Sequence, residues 1–427
     1  MAVADSISAG VNFGNGLFVS CPVLGVAGIA PSPLYGTHTQ CNYKTATPFF
    51  KRSVYEFTLK LVKRINQETE NHFVVSALSP WTLLSTLSLG ASDSTLTEIQ
   101  DVLKMHPHKC FNKLYFNLAK QITGRPSNPS AAMLERSSTI FMDDTINVKE
   151  SYIKEVQKIG LCDAKVVSFY DTVVTSSIIN DYVSRVTNEA IDEIVTPSDL
   201  SDILLVLIDA LYFKGAWRVG FPYEDTESSA FYNYRGEAQI GDVSLMYVSG
   251  SFNVTSIRQI QSKVLELPYG DGSRYSMLLF LPARNVSLSY VIEKLDTITL
   301  SSIFNLYKAY GPETVDVQIP RFKISSDIDN LKELLIDMGL KSMFDQNIAS
   351  FPGITDYLIS VSNFIQKVDI EVTEDGTEAS AATAALFVSR RLPEQFVANR
   401  PFLFMIVDRY LEIPIFTGSS FTGLTVG

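Results

Sequence analysis

Hydrophobic positions follow a helical period early in the chain and a strand period later. Val54, Phe57, Leu61 and Ile65 fall at i, i+3, i+7 and i+11, with Lys51, Lys60, Lys63 and Arg64 distributed around them. That spacing predicts a helix with one apolar face. VLELPYGDGSRYSMLLFLP (264–282) reads as two apolar strands around a Gly-Asp-Gly turn. KVDIEVTE (367–374) alternates, with Val368, Ile370 and Val372 on one face and charged residues on the other. FLFMIVDRYLEIPIF (402–416) reads as a buried strand, a polar turn and a second strand. Helices gathered early and strands gathered late predict an α+β fold with large antiparallel or mixed sheets.

One stretch, EDGTEASAATAALFVSRRLPEQ (374–395), stands apart. Eleven residues without a charge, glycine or proline separate Glu378 from Arg390, and then two arginines arrive together. The pattern alone leaves two readings open: an Ala-rich surface helix, since Ala has the highest helix propensity, or a strand. As a strand over 377–386, Thr377, Ala379, Ala381, Thr383 and Ala385 share one face, and Glu378 falls on the other. Small uncharged side chains enter a sheet without clash, while the outward Glu378 stays hydrated.

The 427 residues carry a formal net charge of −11. That balance argues against nucleic acid or an anionic membrane as the main partner, and no apolar run is long enough to span a bilayer. Residues 1–49 differ from the rest, with Asp5 and Lys44 as their only formal charges. GLFVSCPVLGVAGIA (16–30) resembles the apolar core of a secretory signal, yet a basic leader is missing and Pro22 interrupts it. An atypical signal and a disordered leader both remain open. Two N-glycosylation acceptors, Asn253 in NVT and Asn285 in NVS, favour secretion. From Phe50 onward no linker or repeat interrupts the chain, so 50–427 is expected to be one domain.

The four cysteines (Cys21, Cys41, Cys110, Cys162) are spaced neither as a metal motif nor as a disulfide framework. HPHKC brings His106, His108 and Cys110 together, a weak pattern from which no metal site is expected. There is no GxSxG, phosphate-binding loop, dinucleotide fingerprint or HExxH. His72, before a strand edge, reads as structural. Neither an enzyme nor a cofactor is expected.

Six segments, in order, resemble the serpins, a family of large single-domain serine protease inhibitors. They are SALSPWTLLSTLSLGA (76–91), INDYVSRVTNEAI (179–191), IDALYFKGAWRVGF (208–221), VLELPY (264–269), IPRFKI (319–324) and RPFLFMIVD (400–408). The resemblance implies three β-sheets, eight or nine helices and an exposed reactive loop, which 374–395 would occupy. It implies a hinge at Glu374, Gly376, Thr377, Glu378, Ala379 and Ala381, with Gly376 supplying backbone freedom. Counting Glu374 as the first residue, Arg390 is the seventeenth, and ten residues separate it from Pro401. This family spacing makes Arg390–Arg391 the expected reactive bond, with Arg391–Leu392 second. Arginine suits a trypsin-like pocket, where a buried carboxylate can meet its guanidinium.

By the same resemblance Ser76 and Ser79 lie beneath the centre of the main sheet. Asp209 stands where the family usually has Asn, and Gln366 where many members have His. A Gln amide can donate to an Asp carboxylate, so the two departures are expected to compensate; independent drift is the competing account. Glu374 and Arg321 match an acidic–basic pair near Trp217. Lys104, Lys109, Lys113 and Lys120 are spread among apolar residues, so no strong heparin binding is expected. The implied partner is a trypsin-like serine protease held in a covalent acyl complex by a secreted monomer. A non-inhibitory carrier, storage or chaperone role and inhibition of cysteine proteases are the alternatives.

Overall fold

The computed structural model describes residues 40–69, 73–123, 132–270, 274–328, 330–378 and 392–420. Its first helix, α1 (Tyr43–Glu68), is capped by Asn42, whose side chain accepts from Thr45 N. Val54, Phe57, Leu61 and Ile65 are all buried, as their spacing predicts. The helix crosses position 50, so the folded body starts earlier than the expected boundary, and residues from Gln40 onward cluster as one unit. A disulfide between Cys41 and Cys110 ties the start of α1 to the start of a later helix, a pairing the cysteine spacing did not suggest.

After β1 (Phe73–Val75) come α2 (Leu78–Leu87), α3 (Asp93–Val102) and α4 (Lys109–Thr123). Then follow β2 (Ala132–Asp143), α5 (Glu150–Ile159), β3 (Asp163–Val167), α6 (Thr172–Val186), β4 (Leu205–Gly215) and β5 (Trp217–Val219). β6 (Glu227–Tyr232), β7 (Gln239–Ile257), β8 (Ser262–Pro268) and β9 (Tyr275–Pro282) precede α7 (Leu288–Lys294) and α8 (Leu300–Tyr310). The chain continues through β10 (Glu313–Pro320), β11 (Phe322–Ile328), α9 (Leu331–Met338), β12 (Asn363–Val372) and β13 (Gly376–Glu378). It ends in β14 (Glu394–Val397), β15 (Phe402–Asp408) and β16 (Ile413–Ser420).

The strands form a five-stranded sheet in the order β11-β12-β4-β2-β3, a short β13-β5 pair and a nine-stranded array. The array is two sheets joined through the 19-residue β7. Its N-terminal part pairs β6 and β10, and its C-terminal end pairs β8. The predicted strands at 264–282, 367–374 and 402–416 all form. In β12 the alternation is incomplete: Asp369 is buried and accepts from Ser325 Oγ.

In the five-stranded sheet β12 lies parallel to β4, with Asn363–Glu371 registered on Val206–Lys214, whereas β4–β2 and β12–β11 are antiparallel. The β12–β4 seam is closed along its length. Its sides are fixed by the core beneath, where Phe213 and Phe364 are fully buried.

Candidate functional site

At the rim of the seam the chain leaves β12 with its main chain held. Three successive carbonyls are each taken by the facing segment: Thr373 O by Trp217 Nε1 (2.7 Å), Glu374 O by Phe221 N (3.0 Å) and Asp375 O by Trp217 N (2.8 Å). Trp217 is buried and stacks on Tyr269 with ring centroids 4.4 Å apart. The Glu374 side chain is buried beside it. Its Oε1 accepts from Thr226 Oγ1 (2.9 Å) and faces Arg321 Nη1 at 3.4 Å. The expected group of Trp217, Arg321 and Glu374 is therefore assembled here.

Gly376 pairs with Trp217 in the parallel β13–β5 ladder and Glu378 with Val219. Gly376 is extended strand, so the hinge does not use the unusual backbone angles expected of it. Instead the two chains approach so closely that a Cβ on Gly220 would lie 2.9 Å from Gly376 Cα. Asp375 is exposed and accepts from Tyr223 OH (2.5 Å) and Thr373 Oγ1 (3.1 Å). The Tyr223 hydrogen bond holds the Asp375 carboxyl below its ordinary range, and the same bond pushes the Tyr223 phenol up to about 12.

Seven residues before Thr373, at Gln366, the centre of the seam is a buried polar cluster. Gln366 and Asp209 are registered partners across β12 and β4, and both are fully buried. Gln366 Nε2 donates to Asp209 Oδ2 (2.6 Å) and to Ser76 O (3.0 Å). Asp209 Oδ1 accepts from Ser79 Oγ and Ser138 Oγ. Arg136 donates through Nε to Ser79 Oγ (2.8 Å), through Nη2 to Thr82 Oγ1 (2.6 Å) and through Nη1 to Leu161 O (2.9 Å). Each serine hydroxyl has one proton, and both protons point at Asp209. Burial holds the Asp209 carboxyl above its ordinary range, and the Arg136 charge and these donors pull against it. Asp209 and Gln366 are thus in direct hydrogen-bond contact.

Ser138 and Arg136 were not anticipated. They sit two residues apart on β2, whose antiparallel register places Ser138 opposite Asp209. On the outer face Glu371, registered on Lys214, meets Lys214 Nζ at 3.1 Å and accepts from Tyr212 OH at 3.2 Å. Two side-chain bridges therefore span the strands.

Arg390, Arg391, Ala379 and Ala381 lie outside the described residues, as do the side chains of Thr377 and Glu378, and so does His72. Leu392, where description resumes, is 95% exposed. Of the two glycan acceptors, Asn285 sits exposed in a turn with φ +67°. Asn253 lies within β7, half-buried, and its Nδ2 donates to buried Glu266 (2.8 Å), so the amide that would carry a glycan is used internally. His106 is buried and stacked on Phe111, and Cys110 is in the disulfide. Lys109, Lys113 and Lys120 are exposed and share one face of α4, a stripe that their scatter in the sequence understates.

A five-stranded sheet with a closed parallel β12–β4 seam, beside a nine-stranded array and nine described α-helices, defines an α+β protein of the serpin architecture. Residues 52–422 match the family model "Serpin (serine protease inhibitor)", and the chain belongs to that family. Human Serpin B4 is 30% identical over 386 residues, covering 85% of this chain and 96% of that protein. Human glia-derived nexin is 29% identical over 360 residues, covering 83% and 88%. A serine protease inhibitor of Cyanea capillata is 30% identical over 357 residues, covering 82% and 92%. Native protease nexin-1, solved with heparin, superposes with a TM-score of 0.77 at 25% identity, covering 88% of this chain and 99% of that one. Uncleaved ovalbumin superposes at 0.75 with 24% identity, over 87% and 99%, which shows the fold alone.

Proposed function

We propose that the protein inhibits trypsin-like serine proteases as a suicide substrate, with Arg390–Arg391 as the reactive bond. The observation that carries this reading is the β12–β4 seam: two parallel strands, closed in this state, with the loop segment leaving β12 at its rim. A segment that turns back after Gly376 runs antiparallel to both strands and can pair with each. The ten residues 377–386 are as long as β12 and nearly as long as β4.

The protease serine attacks the Arg390 carbonyl carbon, the peptide bond breaks, and the new amino terminus leaves at Arg391. The product is an ester between the protease and Arg390. Residues 377–389 then insert, carrying the protease away before water reaches the ester. No side chain of this chain acts as a catalyst. Insertion adds a strand to the sheet and releases stored strain.

The disulfide and the exposed Asn285 support action in an oxidising, extracellular compartment. Strong heparin activation is not part of the reading, because the α4 stripe has three lysines in a protein of net charge −11.

Incubation with a panel of Arg-specific proteases, read on denaturing gels, should give a stable complex of summed mass. Arg390→Ala should abolish it, and the released peptide should begin at Arg391 by mass spectrometry. A peptide beginning at Leu392 would move the bond by one residue. Clean cleavage without complex would support the carrier reading instead.

A further inference from the structure

Where β8 and β9 approach the strand that follows the reactive loop, a cavity of about 560 Å³ opens. One wall is apolar, with Ile257 at the end of β7, Leu281 of β9 and Val397 of β14. The other is cationic, with Arg258, Lys263 and Arg400. Lys263 is occupied, reaching Glu394 and the Gln395 carbonyl (3.0 Å).

The arginines are differently placed. Among the described residues, Arg258, Arg400 and the neighbouring Arg284 have no carboxylate within ion-pair distance. Arg400 gives Nη2 to Pro282 O (2.8 Å), but its Nε is buried and has no acceptor. Buried donors are rarely left unmet, and a buried cation without a counter-charge is the costlier case. Burial, aided by the like charge of Arg284, presses on the protonated form of Arg400. In a chain of net charge −11, the local excess of cations marks the cavity as a site for an anion.

We propose that this cavity binds an amphipathic organic anion, with an acidic head between the Arg400 and Arg258 guanidinium groups and an apolar body against Ile257, Leu281 and Val397. The volume is that of an ordinary small-molecule site, and an anion's oxygens can accept from both guanidinium groups. Val397 belongs to β14, which pairs with β10 alone, so a ligand would fasten this edge strand to the body. The site lies away from the β12–β4 seam and does not depend on the inhibitory reading.

Titration calorimetry on the full chain with naphthalene-1-sulfonate should detect binding at least about tenfold tighter than that of 1-naphthalenemethanol, its neutral analogue, or of inorganic sulfate. Arg400→Gln and Arg258→Gln should each weaken it about fivefold or more. Because Arg258 is exposed, its variant remains informative if Arg400→Gln fails to fold. Hydrogen exchange across 394–397 should slow with the sulfonate in the native protein. Equal affinity for the neutral analogue, or unchanged affinity in the Arg258 variant, would overturn the assignment.

Discussion

The rim and the centre of the β12–β4 seam hold the same two strands together by different physics. At the rim the main chain is the attachment: three consecutive carbonyls are held by Trp217 and Phe221, and Glu374 and Arg321 meet at 3.4 Å with Arg321 partly in water. At the centre the main-chain ladder continues and side chains add a second attachment, with Gln366, Ser79 and Ser138 all fixed on one buried carboxylate. A partly hydrated ion pair with long geometry contributes little, whereas a buried polar cluster is costly to disturb if any member loses its partner. The rim is thus built to open first and the centre to resist. A strand entering from above would meet the weaker barrier before the stronger.

The largest expected effect separates opening from cleavage. Thr377 directly follows the rim glycine, and on the predicted strand face it is among the first side chains to enter the sheet. Thr377→Arg would require burying an unpaired cation, at a cost of several kcal/mol. The variant should be cleaved at an undiminished rate but form little covalent complex, whereas Glu378→Arg, on the hydrated face, should do far less. Near-native trapping stoichiometry by Thr377→Arg would show that the segment does not insert. At the centre, Asp209→Leu should destabilise the fold by roughly 3 kcal/mol in urea unfolding. That is the low end for orphaning a buried charge, because Arg136 keeps the Leu161 carbonyl. Arg321→Ala at the rim should cost clearly less. Equal losses would abolish the distinction between the two regions.

How much of this was legible in the sequence differs between the regions too. The helix face of α1, the paired strands at 264–282 and the alternation of β12 were readable because each depends on neighbours along the chain. The Asp209–Gln366 contact was readable only because family positions brought the two together. Ser138 and Arg136 were not, although alternation in β2 puts them on one face. What the sequence does not state is that β2 lies antiparallel to β4 with Ser138 opposite Asp209. The same limit applies to Cys41 and Cys110, 69 residues apart, and to Asn253, whose acceptor motif says nothing of Glu266 on the next strand. Gly220 was not legible at all: a Cβ there would lie 2.9 Å from Gly376 Cα, a constraint that only the facing segment reveals.

A finer test asks whether the centre is one unit. Gln366→His or Asp209→Asn alone replaces one partner of a contact made at 2.6 Å, while the double change restores the combination usual in the family. Coupling between touching polar groups is on the order of 0.5–3 kcal/mol. The double variant should therefore be more stable than the sum of the single losses predicts, and should polymerise less on heating than either single variant. Strictly additive shifts in midpoint would mean that the two positions drifted independently.

The smallest effect is in pH, and there the two regions should differ in sign. Burial holds the Asp209 proton to a higher pH in the folded chain than in the unfolded one, whose ordinary value is 3.8. Between that value and the raised one the folded state binds more protons, so this carboxyl's contribution to stability falls as pH rises through the window. Asp375 is the reverse case: its Tyr223 hydrogen bond lowers the folded value below 3.8. There the unfolded state binds more protons, and stability is lost as pH falls through the lower window. Urea unfolding from pH 3 to 7 should show Asp209→Asn removing a decline above pH 4 that the native chain carries. Tyr223→Phe should leave that region unchanged and reduce the loss seen on further acidification. If Asp209→Asn instead removes a rise with pH, its three donors and Arg136 outweigh burial. The centre would then be held by an ionised carboxylate, and its pH response would have the same sign as that of the rim.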